Sequence, residues 1–280
     1  VGQRRRGRGR VWRLRCLRGR SVRCGADIFE EGGEPAATEQ QQHGERIDDG
    51  ADEEQHRKRR LLAEVGQAGE GLAQPKAAEI ERERPGFFTN LKSQQKPKYM
   101  WIGCSDSRVP ANQITGLEPG AAFVHRNVAN VVVHSDLNAL STIQFAVEML
   151  KVEHVMVVGH YGCGGVQAAL DNVRIGLADN WIRHIQDVRD RHRQSLEAMP
   201  EEKRLDALVA LNVVEQVVNV CQSTVLQDAW SRGQVIKVHG WVYGVHDGLL
   251  QDLRISVSGL DDLEAIYKQA VDGVLVSSRQ

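Results

Sequence analysis

Residues 153–165 read EHVMVVGHYGCGG, an apolar run that leads directly into a glycine-rich turn. The apolar part, EHVMVVGH, has the length and the β-branched content of a buried strand. The residues after the turn, VQAAL at 166–170, have the composition of a helix. This stretch therefore predicts a strand, a tight turn and a helix, with His160 and Cys163 in the turn.

Strands and helices alternate along the rest of the chain from Pro85 onward. The other predicted strands are KYMWIGC at 98–104, GAAFVHRN at 120–127, QVIKVHGWVY at 234–243 and a last one at 253–257. The predicted helices are 136–151 with Ser135 as its N-cap, 179–195, 203–229 and one that begins at Asp261. This alternation predicts an α/β fold, a single domain whose central, mostly parallel sheet is flanked by helices. In such sheets functional sites lie at the carboxyl ends of the strands.

The overall composition excludes several classes of partner. The chain has 280 residues, 41% of them hydrophobic, and a formal net charge of −1, which gives no general attraction to nucleic acid or to an anionic membrane. No stretch approaches the ~20 apolar residues of a membrane-spanning helix, so we expect no membrane partner. Five cysteines, an odd number spread widely, argue against a disulfide framework and favour a reducing, cytoplasmic location.

The first 84 residues differ in composition from the remainder. Residues 1–24 contain ten arginines and no acidic residue, and residues 30–60 are polar and low in complexity. Such segments bury too little apolar surface to offset the entropy of ordering them. Three interpretations stay open: a disordered tail, a segment foreign to the natural protein, or a basic arm or targeting peptide. We therefore divide the chain into an N-terminal segment, 1–84, and a folded domain, 85–280.

Three residues at predicted strand ends have the chemistry of a metal site. Cys104 ends the strand at 98–104, and His160 and Cys163 lie three residues apart in the glycine-rich turn. If that turn is helical, residues three apart face the same way and can share one ion. Two cysteines and one histidine suit tetrahedral Zn²⁺ with its fourth position left for water, which is the pattern of a catalytic zinc site.

Four segments resemble the beta-class carbonic anhydrases. They are WIGCSDSRV at 101–109, EPGAAFVHRNVAN at 118–130, GHYGCGGV at 159–166 and HGWVYGVHDGLL at 239–250. The resemblance implies that Cys104, His160 and Cys163 bind zinc and that Asp106 and Arg108 form a catalytic dyad. It also implies the reaction: zinc-bound hydroxide attacks CO2, and bicarbonate and a proton are released.

The resemblance extends to a subgroup of that family that bicarbonate inhibits through a second pocket. Trp101, Arg126 and Tyr243 match the residues of that pocket. In this subgroup the aspartate of the dyad can leave its arginine and become the fourth zinc ligand, so the resemblance implies such a switch for Asp106 at low pH or with bicarbonate. Members form homodimers or homotetramers through N-terminal helices, but here the helical pattern is not recognisable and Arg84 stands where an aspartate is common.

Other functions remain as alternatives to CO2 hydration. The same zinc chemistry would hydrolyse CS2 or COS, and a non-catalytic zinc or bicarbonate sensor would need no dyad such as Asp106 and Arg108. Nucleic-acid binding through the arginine tract is not expected, because no aromatic interleaving or recognisable motif accompanies it. Proton shuttling is open to five of the histidines outside the metal site, and the sequence does not choose among them. These are His125, His134, His154, His239 and His246.

Overall fold

The computed structural model describes residues 76–93 and 95–278. Residues 1–75, which include the arginine tract and most of the N-terminal segment with its three interpretations, lie outside the described residues. Residues 76–83 form a helix, here α1, so ordered structure within the described part begins upstream of Pro85.

A single five-stranded sheet forms the centre of the domain. Its strand order is β2-β1-β3-β4-β5; the first four strands are parallel, and β5 runs antiparallel to β4. The strands are β1 (Tyr99–Cys104), β2 (Ala122–Asn127), β3 (His154–His160), β4 (Lys237–Tyr243) and β5 (Leu250–Val257). The predicted α/β fold with a mostly parallel sheet is confirmed.

Helices cover the two faces of the sheet unequally. They are α2 (Phe87–Ser93), α3 (Ala111–Thr115), α4 (Leu137–Gln144), α5 (Gly164–Leu170), α6 (Asp179–Arg191), α7 (Arg193–Glu197), α8 (Glu201–Cys221), α9 (Thr224–Ser231) and α10 (Leu263–Ser277). The long apolar helix α8 packs on β3, β4 and β5 and carries most of the main core. The other face carries a smaller buried cluster that includes Trp101, Val109 and Ala111, where α3 begins.

Some predicted boundaries were wrong for local reasons. The N-cap of α4 is Asp136, whose carboxylate accepts from the Asn138 N–H, and not Ser135. The predicted helix 203–229 is two helices, because Ser223 has an extended backbone and caps α9 through the Leu226 N–H. The predicted helix 179–195 likewise divides at His192, which separates α6 from α7.

No single helix in the described part of the chain is long and apolar enough to cross a membrane. The pair α8 and α9 meets the requirement of length and composition only when both are counted together across a 56° bend.

Candidate metal centre

The three predicted metal ligands meet at one edge of the sheet. Cys104 is the last residue of β1, His160 is the last residue of β3, and Cys163 immediately precedes α5. Because β1 and β3 are parallel neighbours, their carboxyl ends lie side by side. The three side chains are 5%, 0% and 2% exposed, and their ligand atoms lie within 4.8 Å of one another. This cluster has the size and the donor set of a metal site.

The turn between His160 and Cys163 is not helical, so the two residues do not meet by sharing a helix face. Gly162 has a φ of +69°, a left-handed conformation that glycine adopts readily, and Cys163 is extended with φ −69° and ψ 119°. The Tyr161 N–H donates to the Tyr243 carbonyl at 3.0 Å and so anchors the turn to β4. The two ligands converge because the chain reverses at Gly162, not because they share a helix face.

The environment of His160 fits a metal ligand. Its Nε2 is buried and has no hydrogen-bond partner among the described residues. Its Nδ1 lies 3.1 Å from the Tyr161 carbonyl oxygen. A histidine that binds a metal through one nitrogen usually donates from the other to a carbonyl or carboxylate, and this carbonyl serves that purpose.

The two thiols form a coupled pair. Their sulfur atoms are 3.9 Å apart. The hydrogen bond from Cys163 lowers the pKa of Cys104 to about 4 against the opposing effect of burial. The same hydrogen bond, together with burial, raises the pKa of Cys163. A metal cation that binds both sulfurs would hold them as thiolates and release the proton of their hydrogen bond.

Asp106 and Arg108 form a two-pronged ion pair beside this cluster. Arg108 Nε donates to Asp106 Oδ1 at 3.0 Å, and its Nη2 donates to Oδ2 at 2.7 Å. The Arg108 side chain holds the pKa of Asp106 well below its ordinary value, so the carboxylate stays ionised. Asp106 Oδ2 lies 3.7 Å from His160 Nε2, which puts an anionic acceptor at the edge of the metal cluster.

The three residues of the predicted bicarbonate pocket lie near the same strand ends. Arg126 Nε donates to the Cys104 carbonyl at 2.8 Å, and its Nη2 donates to the Asp106 carbonyl. Trp101 is fully buried, and its Nε1 has no hydrogen-bond partner among the described residues. Tyr243 is half-buried and packs against the cluster that contains Trp101. Arg126 is thus fixed to the main chain, while the Trp101 donor is unused.

The main chain at 128–132 contacts the three clustered ligands, although no site role was predicted for any of these residues from the sequence. The Ala129 N–H donates to Cys104 Sγ at 3.3 Å. Ala129 and Asn130 both have left-handed backbones, with φ of 62° and 49°, a conformation that costs an alanine on the order of 1–2 kcal/mol and that asparagine adopts more readily. The sequence feature that is linked to this segment lies far from it in the chain. It is a set of three amide residues on one face of an apolar helix: Asn212, Gln216 and Asn219.

The five histidines named as possible proton shuttles lie in different parts of the domain. His154 begins β3, whereas His160 ends it, so these residues lie ~20 Å apart along a strand of this length. His239 lies opposite Met156 and bonds to His154 at 3.1 Å, again away from the metal edge. His125 is buried on β2. His134 and His246 lie in the loops that follow β2 and β4, the strand ends nearest the site.

Comparisons with known proteins agree with this geometry. The family model described as carbonic anhydrase matches residues 99–250. A carbonic anhydrase of Emericella nidulans is 48% identical over 185 residues, which cover 65% of this chain and 81% of that protein.

Two solved structures have the same fold. A tetrameric beta-carbonic anhydrase from Sordaria macrospora superposes with a TM-score of 0.65 at 34% identity, covering 69% of this chain and 99% of that one. The Coccomyxa beta-carbonic anhydrase in complex with acetazolamide gives a TM-score of 0.67 at 36% identity, covering 74% and 95%. The matched family region contains all three clustered ligands together with Asp106 and Arg108, and the chain belongs to the beta-class carbonic anhydrases.

Proposed function

We propose that this carbonic anhydrase works with zinc, which Cys104, His160 and Cys163 hold, and that Asp106 and Arg108 are its catalytic dyad. Family membership supports reversible hydration of CO2 to bicarbonate and a proton as the reaction. The observation that carries the choice of metal is the buried set of two sulfurs and an unpartnered imidazole nitrogen within 4.8 Å. When bound, a zinc ion would lower the pKa of water and so supply a nucleophile near neutral pH.

Asp106 and Arg108 would together orient a water molecule beside the three ligands. The ionised Asp106 accepts a hydrogen bond from a water molecule at the cluster edge and so fixes the direction of its lone pair. Arg108 keeps the carboxylate turned through two parallel hydrogen bonds. The two thiolates offset the charge of a divalent cation, so the pocket tolerates a neutral substrate such as CO2 and an anionic product.

Stopped-flow CO2 hydration on protein with measured zinc content tests this proposal. We expect Cys163→Ser to lose most of its zinc and its activity, because the remaining two ligands cannot fill a catalytic site. Cys221→Ser is the matched control, since Cys221 is equally buried but lies on α8 outside the cluster. Zinc-replete wild-type protein without hydration activity would refute the proposal.

We also propose inhibition by bicarbonate at a second site formed by Trp101, Arg126 and Tyr243. The unused Nε1 of Trp101 and the guanidinium of Arg126 are donors suited to a small anion. An anion bound to Arg126 would compete with its hydrogen bonds to the carbonyls of Cys104 and Asp106 and would thereby disturb the dyad. This is how occupation of a second site would reach the first.

A titration of CO2 hydration with bicarbonate tests the second site. Trp101→Phe should raise the bicarbonate concentration needed for half-inhibition, because the indole donor is lost. Trp230→Phe is the control, since Trp230 lies on α9 and packs against the main core, not against the cluster that contains Trp101. Equal half-inhibition in Trp101→Phe and wild type would argue against this pocket.

We further propose a homodimer or homotetramer that works in the cytoplasm. The tetrameric beta-carbonic anhydrases of Sordaria macrospora support assembly, as do the exposed apolar side chains of Leu137 and Met149, which are 78% and 69% exposed. A reducing compartment suits Cys104 and Cys163, because oxidised sulfurs bind no zinc. Light scattering after size-exclusion chromatography gives the mass, and imaging of a tagged chain gives the location.

A further inference from the structure

Helix α8 carries three amide side chains that its apolar surroundings do not explain. Asn212, Gln216 and Asn219 are spaced by four and three residues and therefore share one face of the helix. Asn212 and Gln216 are each 1% exposed, among leucines, valines and alanines that form the main core. A buried amide is tolerated only when its donors and acceptors are satisfied, so the partners of these amides indicate their purpose.

The three amides bond to one another and form a continuous ladder. Gln216 Nε2 donates to Asn212 Oδ1 at 3.0 Å, and Asn219 Nδ2 donates to Gln216 Oε1 at 3.1 Å. Each side chain is thereby oriented by its neighbour on the helix. We call Asn212, Gln216 and Asn219 the amide ladder.

The remaining hydrogen bonds of the amide ladder go to the main chain of residues 129–132. Asn212 Nδ2 donates to the Ala129 carbonyl at 3.1 Å. Gln216 Oε1 accepts from the Val132 N–H at 2.8 Å, and Asn219 Nδ2 donates to the Val132 carbonyl at 3.0 Å. The ladder therefore holds both ends of this segment.

Residues 129–132 are the strained segment whose main chain contacts Cys104, one of the three proposed metal ligands. Ala129 and Asn130 are both left-handed; asparagine adopts this conformation comparatively readily, but alanine keeps it only where the surroundings enforce it. Asn127 also restrains the segment, since its side chain exchanges two hydrogen bonds with the main chain of Val131. In this conformation the Ala129 N–H points at Cys104 Sγ.

We propose that the amide ladder is a positioning device for the metal centre. It holds residues 129–132 in their strained conformation and thereby keeps the Ala129 N–H on the sulfur of Cys104. Asn212 is the main positioning residue, because it bonds directly to Ala129. The proposal rests on metal binding by Cys104, His160 and Cys163 and requires no particular reaction.

Loss of the ladder should weaken metal binding. Without it the segment relaxes toward right-handed backbone angles, and the N–H donor leaves the sulfur. Groups that hydrogen-bond to metal ligands typically change metal affinity by 10- to 100-fold when removed. We expect the dissociation constant for Zn²⁺ to rise at least ~10-fold in Asn212→Leu.

Competition of the full-length protein with a chromophoric chelator for Zn²⁺ measures this constant. Gln186→Met is the matched control: Gln186 is a buried amide on α6, and it bonds to Asn172 and not to the strained segment. Urea unfolding of both metal-free variants checks that they lose comparable stability. Asn219→Leu, at the half-buried end of the ladder, provides a milder variant if Asn212→Leu does not fold.

Cobalt(II) substitution gives an absorption spectrum that a general loss of stability would not change. The sulfur-to-cobalt absorption band should shift in Asn212→Leu and stay in place in Gln186→Met, because only the first variant changes the hydrogen bond to Cys104. Adding Ala129→Gly to Asn212→Leu should recover part of the Zn²⁺ affinity, since glycine adopts the left-handed conformation unaided.

An unshifted cobalt band together with control-like Zn²⁺ affinity in Asn212→Leu would overturn the proposal, and so would the absence of any rescue by Ala129→Gly. No readout uses enzymatic activity. A wild-type protein that binds Zn²⁺ but does not hydrate CO2 would therefore refute the proposed function and leave the positioning role to be judged on its own data.

Discussion

Two glycines beside the metal ligands differ in how much space surrounds them. Gly159 precedes His160, and a Cβ there would lie 2.6 Å from Val213 Cγ2 on α8. Gly164 follows Cys163, and a Cβ there would have no heavy atom within 4 Å. The requirement for glycine at 159 is therefore one of packing between β3 and α8.

Alanine at the two positions should consequently have different effects on the free energy of unfolding. Gly159→Ala overpacks the contact with Val213, and we expect its free energy of unfolding to fall by about 1–3 kcal/mol. Gly164→Ala begins a helix in open space and should leave the free energy unchanged or slightly higher. Urea unfolding of the metal-free proteins measures both. Equal losses at the two sites would show that closeness to the ligands matters and packing does not.

At the scale of whole elements, a buried carboxylate joins three helices. Glu215 of α8 accepts from the Tyr267 hydroxyl of α10 at 2.6 Å and pairs with Arg191 of α6. His192, between α6 and α7, lies 3.3 Å from the same carboxylate. Burial alone would raise the pKa of Glu215, but the hydrogen bonds from His192, Tyr267 and Arg191 outweigh it and lower the pKa to about 2.

Tyr267→Phe should therefore reduce stability in a pH-dependent way. A carboxylate whose folded pKa lies below its unfolded value of 4.5 contributes stability above pH 4.5 and loses it as the pH falls toward 2. We expect a loss of about 1.5–3 kcal/mol at pH 7, typical of a hydrogen bond to a charged group. Denaturant unfolding between pH 7 and pH 3 measures it. A difference between variant and wild type that stays constant to the lowest pH would contradict this account.

The same scale shows what a sequence predicts and what it does not. The strands, the mostly parallel sheet and the three ligands were predicted, because each strand and each ligand motif can be read from a short stretch of sequence, and parallel strands bring their carboxyl ends to one edge. Ser135 was wrong as a cap because Asp136 competes for the same N–H groups one residue later. The amide ladder was not predicted, since its main-chain partners lie 83 to 87 residues away and only the tertiary fold brings them together.

At the scale of the molecule, we expect the site to be independent of most of the N-terminal segment. The family match begins at residue 99, and all the residues of the site and its supporting ladder lie beyond it. A shortened chain that starts at residue 76 should therefore keep the zinc content and the CO2 hydration rate of the full chain. Metal analysis and stopped-flow assays compare the two. A lower rate with a smaller oligomeric mass would assign the lost residues a role in assembly.

The order of the strands along the chain also determines at which stage of folding the site can form. Cys104 and Cys163 are 59 residues apart in the chain, and they meet only after β1 and β3 have paired across the intervening β2 and α4. Loop closure over such a distance slows folding, and we expect this contact to form after the transition state. Zinc should therefore leave the refolding rate unchanged and slow unfolding, because the ion stabilises a contact absent from the transition state. Refolding and unfolding kinetics with and without zinc measure this. If only unfolding slows, the contacts to the metal form last during folding and break first during unfolding, and zinc extends the lifetime of the folded protein.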